Sequence, residues 1–166
     1  DTYGILIDAD YGQANIGLSV GGGATDYQVS FLEVRHLDFA GMMFKTDNNG
    51  TAHMNNVKIH DNYIHDTISE AVYLGSTQSQ PQHKFNNLEF YNNRLIRTGT
   101  EIAQFGNLGD NCRIHHNVFL LGALAWKKPF QIYQDGGVQL GHREGSASFD
   151  HNIVIGGASN NMILFN

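Results

Sequence analysis

The chain contains little cysteine, proline or positive charge. Its 166 residues include 1 cysteine, 2 prolines, and 10 lysines and arginines against 16 aspartates and glutamates. The single Cys112 cannot form an internal disulfide, so folding depends on a buried core, which one domain of this length can supply. The formal charge of −6 argues against general nucleic-acid binding, which requires a basic surface.

Long apolar runs and cofactor motifs are also missing from the sequence. No stretch of about 18 apolar residues occurs, so we predict no membrane-spanning helix. No signal peptide is visible at the amino-terminal end. The acidic residues Asp8, Asp10 and Asp110 are scattered along the chain, so we predict no calcium site and no cofactor.

Asparagine is abundant, and four copies of one pattern place it at the same position. The pattern reads small or apolar, any, apolar, two polar, Asn, any, apolar. It occurs at 57–64, 88–95, 112–119 and 147–154, with Asn62, Asn93, Asn117 and Asn152 aligned. A fifth copy over 32–39 carries Leu37 at the Asn position. Four matches at the same offsets indicate an internal repeat.

A second aligned segment follows the copies of the asparagine pattern. Residues 70–75, 101–106 and 136–141 align with one another, 3–8 and 41–45 resemble earlier copies, and 161–165 resembles a later one. Apolar residues alternate within these segments, which is typical of strands with one buried face. Helical periodicity is weak throughout, so the sequence predicts short strands at repeated spacing.

These repeats resemble the right-handed parallel β-helix family, which includes pectate lyases, alginate-active lyases and epimerases, and phage tailspikes. The resemblance implies an all-β, right-handed parallel β-helix (solenoid) of roughly six coils, forming one domain over residues 1–166. Asn side chains stacked about 4.8 Å apart would bond between coils. The family's many activities leave the function open, while the resemblance implies a secreted or cell-surface protein.

Both ends of the sequence read as strands without polar caps, which a stack of repeats needs. We therefore expect a segment of a longer helix, with further β-helix coils or partner chains at both ends.

The repeat is interrupted by a loop insertion near residues 121–135. This segment contains Trp126, Lys127, Lys128 and Tyr133, and loops on a rigid scaffold often carry function. Trp126 would stack on a sugar, while Lys127 and Lys128 would bind acid groups of the ligand. Alternatively, the loop folds back and buries Trp126 as a small satellite core.

Four residues at or near this insertion form a candidate catalytic set. Elimination from a uronate needs a group that neutralises the carboxylate, a base and an acid. Arg143 or Lys128 would neutralise the carboxylate, His142 would be the base and Tyr133 the acid. Alternatively, 142–144 is a charged turn in which Arg143 pairs with Glu144.

A polar column on one strand ladder is the candidate substrate-binding surface. Tyr73, Gln104 and Gln139 align on one face, and Glu70 and Glu101 precede the first two. Such side chains can hydrogen-bond successive sugars, and repulsion between stacked carboxylates would raise one pKa. Alternatively, the column is an ordinary solvated face.

Two histidines occupy equivalent positions in successive repeats. His116 and His151 occupy equivalent positions before an aligned asparagine, and alternation predicts that His115 faces the other way. Two histidines are too few for tetrahedral zinc, so we predict no metal site.

Two functional hypotheses follow. The first is an extracellular β-helix that binds or processes an acidic polysaccharide, with lyase-like chemistry if it is catalytic. The second is a non-catalytic structural or adhesive segment of a cell-surface fibre or secretion-associated protein.

Overall fold

The computed structural model describes residues 4–12, 14–47, 49–75, 83–125, 134–142 and 145–165, with only the backbone of His142. These residues form strands and turns and no helix, so none of them forms a helix able to cross a membrane. The all-β class predicted from the alternating apolar pattern is confirmed.

The strands are short, and we number them in chain order. They are β1 Ile5–Asp8, β2 Leu18–Val20, β3 Tyr27–Ser30, β4 Leu32–Arg35, β5 Met42–Phe44, β6 His53–His60, β7 Tyr63–Thr67, β8 Val72–Leu74, β9 Lys84–Tyr91, β10 Arg94–Thr98, β11 Ala103–Leu108, β12 Cys112–His115, β13 Val118–Leu120, β14 Val138–His142, β15 Ala147–Asp150, β16 Ile153–Ile155 and β17 Met162–Phe165.

Every strand pairs in parallel with the strand three places along the chain. One ladder is β1-β4-β7-β10-β13-β16, a second is β2-β5-β8-β11-β14-β17, and a third is β3-β6-β9-β12-β15. The second and third ladders join where Leu108 pairs with Phe85. Parallel strands in stacked sheets, repeating every three strands, are compatible with the predicted β-helix.

The register confirms most of the sequence repeat. Phe90 pairs with Ile59 and Ile114, and the second segment aligns Met42, Val72, Ala103, Val138 and Met162 along one ladder.

Two early copies were assigned wrongly. Tyr27 pairs with Val57 and Glu33 with Tyr63, so Leu32 rather than Leu37 lies opposite Asn62. Residues 5–8 form β1, which pairs with β4 and so lies outside the second segment's ladder. All three strands of a repeat have the same apolar alternation, so alternation alone does not identify the ladder.

Aromatic side chains from successive strands pack against one another in the core. Phe90 lies 5.0 Å from Phe105 between ring centroids, Phe105 lies 6.2 Å from Phe119, and Phe119 lies 5.9 Å from Phe149. The edge-to-face geometry of the first two contacts is favourable for aromatic pairs. Cys112 is also buried in this core, and burial raises the pKa of its thiol, which makes it an inert packing residue.

The aligned asparagines form a buried hydrogen-bonded ladder. Asn93 Nδ2 donates to Asn117 Oδ1 at 3.1 Å and to the Ile59 carbonyl at 2.9 Å. Asn93 Oδ1 accepts from the backbone N–H and side-chain amide of Asn62 at 3.1 and 3.0 Å. Each amide thus satisfies backbone groups at a corner where the strands end, and the predicted structural role is confirmed.

The residue before each ladder asparagine makes the turn. Asp61, Asn92, His116 and His151 have φ angles of 55°, 53°, 55° and 52°. This left-handed conformation reverses the strand alternation. The asparagine that follows can therefore direct its side chain into the ladder.

Candidate functional site

The candidate site lies on the face of the β5-β8-β11-β14 ladder that is opposite the core. Val72 and Leu74 belong to the core, whereas Tyr73 between them does not. Gln104 pairs in register with both Tyr73 and Gln139. The predicted polar column is therefore confirmed as an alignment.

This polar column is buried, so the alternative of an ordinary solvated face is wrong. The exposed fractions of Tyr73, Gln104 and Gln139 are 7%, 5% and 6%. Lys45 lies over Tyr73, with Nζ 4.9 Å from the ring centroid, in the range of a cation–π contact. The alternating pattern of a strand does not show which segments of the chain cover its outer face. The sequence therefore could not predict that this column is buried.

Two acidic side chains form a hydrogen-bonded carboxyl pair at the entrance to this column. Glu70 and Glu101 are 2% and 1% exposed, and a hydrogen bond links their carboxyl groups. Two carboxylates can share such a bond only when one is protonated. Glu101 Oε2 is buried and meets no other donor among the described residues, a situation that a proton at this oxygen resolves.

The surroundings favour the protonated form of this carboxyl pair. Burial raises the pKa of Glu70. Burial also raises the pKa of Glu101 to about 8, with the Glu70 charge as the second cause and Asp135 as a smaller one. The predicted effect of stacking two carboxylates on one pKa is thus confirmed, but desolvation rather than repulsion is the larger cause.

Hydroxyl and amide groups hold the carboxyl pair in place. Ser69 Oγ donates to Glu70 Oε2 at 2.5 Å and lies 3.0 Å from Thr100 Oγ1. Gln139 Nε2 donates to Glu101 Oε1 at 2.9 Å. These contacts fix the orientation of the two carboxyl groups.

The column also contains an amide donor, on the strand that follows Glu101, with no hydrogen-bond acceptor among the described residues. Gln104 Nε2 is buried without a hydrogen-bond partner among the described residues. Burying an amide without a partner costs about 1–3 kcal/mol. The column therefore contains an amide donor that is available to an acceptor, next to an acid pair whose proton is shared between the two carboxyl groups.

The hydroxyl partners were missed in the sequence, although a signal was present. The pattern Thr-x-Ser/Thr-Glu occurs twice, at 67–70 and at 98–101. In each copy the hydroxyl residue directly precedes the glutamate, and a threonine lies two residues before the hydroxyl residue. The first threonine of each copy, Thr67 or Thr98, caps the turn by donating to the carbonyl of Ser69 or Thr100 at 2.8 and 2.7 Å.

The predicted catalytic set lies outside the described residues. This applies to Trp126, Lys127, Lys128, Tyr133 and Arg143, which were assigned to sugar stacking, acid contacts and elimination chemistry. The backbone of His142 ends β14, and its side chain is outside the described part. These roles therefore stay predictions.

One prediction about the histidines is wrong. His115 does not face away from His116, because their Nδ1 atoms lie 2.8 Å apart. With Asp150 they form a group whose possible ligand atoms all lie within 4.8 Å of one another, at a corner separate from the carboxyl pair.

Comparisons with known proteins leave the family unassigned. No family model, curated protein or solved structure matches the chain.

Proposed function

We propose that this chain is a right-handed parallel β-helix of roughly six coils that binds or processes an acidic polysaccharide outside the cell. The proposal rests mainly on the buried Gln104 amide beside the Glu70–Glu101 carboxyl pair, because Gln104 Nε2 has no hydrogen-bond partner among the described residues. This amide can donate a hydrogen bond to a uronate carboxylate, while the proton between the two glutamates lowers their combined negative charge. A hydrogen-bond donor of this kind reduces the negative charge of the uronate carboxylate, which otherwise opposes removal of the C5 proton in an elimination.

The lysine near the column supports the same role. Lys45 lies over the Tyr73 ring, and its charge lowers the pKa of Glu70 against the larger effect of burial. Lys45 also pairs with Asp47, with Nζ 3.3 Å from Oδ2, and so neutralises one aspartate beside the column. An acidic sugar would therefore meet less negative charge here than the overall charge of the protein implies.

In the lyase-like form of this proposal, the insertion completes the chemistry. Gln104 would hold the uronate carboxylate, with Lys128 or Arg143 as the cation that neutralises it. His142 would abstract the C5 proton and Tyr133 would protonate the leaving oxygen, while Trp126 and Lys127 contact neighbouring sugars. Because the carboxyl pair is 1–2% exposed, this form requires the covered face to open for substrate.

The test is absorbance near 235 nm over a panel of uronate polysaccharides, which detects the unsaturated product of elimination. Gln104→Leu, which removes the unpartnered amide, is compared with the wild type together with His142→Ala and Arg143→Ala. Gln28→Leu is the matched control, because Gln28 is an exposed glutamine on β3. We expect the first three substitutions to lower the rate at least about 100-fold and the control to leave it unchanged.

Other outcomes of the same experiment separate the alternatives. Release of reducing ends without absorbance would replace elimination by hydrolysis. Retention on an immobilised uronate polysaccharide without turnover would leave a binding function. Folded wild-type protein that neither binds nor cleaves any member of the panel would contradict the proposal.

The second hypothesis, a non-catalytic structural or adhesive segment, also has a specific observation in its favour. Apolar side chains are exposed on strands at both ends of the ladders, with Ile5 at 60% and Leu164 at 75%. Further β-helix coils or partner chains stacked on these strands would bury them. In that case the carboxyl pair is an internal, permanently covered contact between repeats.

A further inference from the structure

Two adjacent histidines converge at the corner after β12. His115 is the last residue of the strand, and His116 has a φ of 55°. In a regular strand, consecutive side chains point to opposite faces, but the left-handed residue breaks this alternation. The two Nδ1 atoms consequently lie 2.8 Å apart.

The next repeat adds a carboxylate to this pair. Asp150 ends β15 and pairs in register with His115. One possible ligand atom from each of His115, His116 and Asp150 lies within 4.8 Å of the other two. Ligand atoms around one zinc ion lie about 3–4 Å apart, since each bond is about 2.0–2.2 Å, so small side-chain rotations would bring all three onto one ion.

We propose that His115, His116 and Asp150 bind a divalent transition-metal ion, with zinc as the best fit. Two imidazoles and one carboxylate form a donor set that zinc accepts, with water in the fourth position. The ion would link the ends of β12 and β15, and so would join two successive repeats. This site is independent of the Glu70–Glu101 carboxyl pair.

Neighbouring rings and a hydrogen bond pre-position the three ligands. Tyr91 stacks on His115 at 5.3 Å between centroids with an interplanar angle of 5°. His151 stacks on His116 at 4.9 Å and 3°, and its Nδ1 lies 3.0 Å from Asp150 Oδ1. His151 is therefore a positioning residue for the carboxylate, as outer partners commonly are at metal sites.

Two described contacts oppose metal binding. The hydrogen bond between the Nδ1 atoms of His115 and His116 must break, with its proton leaving Nδ1, before both nitrogens can bind an ion. Arg113 donates to both Asp150 oxygens, from Nε to Oδ2 and from Nη2 to Oδ1, each at 3.0 Å. A carboxylate has about four lone-pair sites, and the described contacts from Arg113 and His151 use three of them. A lone pair thus remains for an ion, but the guanidinium charge lowers the affinity of the site.

The test is calorimetric titration of untagged, metal-stripped protein with Zn²⁺, together with the absorption spectrum of the Co²⁺ form. Two ligand variants use the residues that the preceding repeat carries at the paired positions: His115→Tyr follows Tyr91, and His116→Asn follows Asn92, whose φ is 53°. Asp150→Asn removes the carboxylate charge at constant size.

We expect one Zn²⁺ per chain and a tetrahedral Co²⁺ spectrum for the wild type. Each ligand variant should weaken the affinity at least 10-fold, and Arg113→Gln should strengthen it several-fold. His53→Asn, at an exposed histidine on β6, is the control and should leave the affinity unchanged. Zn²⁺ should raise the Tm of the wild type but not that of His116→Asn.

Several outcomes would overturn the site. These are no stoichiometric Zn²⁺ binding by the wild type, undiminished affinity in the ligand variants, or an equal loss in His53→Asn. Circular dichroism of the metal-free proteins establishes that each variant folds. Because there are three ligand variants on two repeats, the test survives the misfolding of any one of them.

Discussion

At the residue scale, the strongest chemical feature is the protonation of a buried acid pair. Glu70 and Glu101 sit on successive repeats, each beside a hydroxyl residue. Removing a carboxylate from water disfavours its charged form, and stacking a second one beside it adds to the effect. The pair is therefore held together by a shared proton, which ties its stability to pH.

We predict that Glu101 makes the protein less stable as pH rises from about 5 to about 8. The pKa of Glu101 is raised by burial from 4.5 to about 8, so in this window the folded state retains a proton that the unfolded state has lost. The free energy of unfolding then falls with rising pH, by on the order of a few kcal/mol in total.

Chemical denaturation of the wild type and Glu101→Gln at pH 5, 6.5 and 8 checks this prediction. Buried His83 also titrates: burial lowers its pKa, so its contribution to stability rises with pH below about 6.5. Both proteins contain His83, so the difference between their free energies of unfolding reports Glu101 alone. Glu101→Gln should gain stability relative to the wild type as pH rises. A constant difference across the three pH values would contradict the prediction.

At the element scale, one buried asparagine ladder holds the corners of successive repeats together. Its members donate to carbonyl groups and accept from backbone N–H groups where strands of two ladders meet. A second, exposed ladder at another corner links Asp26, Asn56, Asn87 and Asn111 through side-chain bonds of 2.6, 2.9 and 3.2 Å. The sequence repeat as aligned above does not predict this second ladder.

We predict that Asn93→Ala lowers the free energy of unfolding by about 2–4 kcal/mol. The substitution leaves the backbone N–H of Asn62 and the carbonyl of Ile59 buried without these partners, at about 1–3 kcal/mol for each unsatisfied group, whereas Asn62 Nδ2 keeps its bond to the Val29 carbonyl. Asn87→Gly is the control on the exposed ladder. Glycine tolerates the φ of 53° at this position, and water replaces the lost bonds, so the loss should stay near 1 kcal/mol.

Urea denaturation of both variants measures this difference. Equal losses in the two variants would mean that the burial of the first ladder contributes nothing to stability.

At the scale of the whole molecule, the outermost strands expose large apolar side chains. Leu164 pairs in register with the core residue Leu140, so it extends the core face, yet it is 75% exposed. Ile153 and Ile155 are also exposed on β16, at 52% and 56%. A stack of parallel strands presents an unpaired edge and an open core at its last strand.

We predict that the isolated chain self-associates through this end and that Leu164→Lys reduces the association. A charge there opposes the burial of apolar surface that drives stacking. Ile68→Lys is the matched control, since Ile68 is 48% exposed at a corner between inner repeats. Sedimentation velocity across a concentration series measures the effect. Equal reduction by both substitutions, or a wild type that stays monomeric throughout, would contradict the prediction.

The sequence predicted the aligned columns of the repeat correctly, but it placed two early copies and one histidine side chain wrongly. The asparagine pattern and the alternation after it predicted the aligned columns, because side chains that stack must recur at equivalent positions. Two early copies were placed on the wrong ladder, since alternation is common to all strands of a repeat. The orientation of His115 was wrong because a single left-handed residue reverses alternation, and no composition rule marks His116 as left-handed.

The sequence by itself determined the all-β class, the stacking of equivalent residues and the buried asparagine ladder. These features depend on local patterns that repeat along the chain. Only the tertiary structure decided that the polar column is covered, that Glu70 and Glu101 share a proton, and that two histidines meet an aspartate. These properties depend on desolvation and on distances between successive repeats, which are set by the packing of segments far apart in the chain.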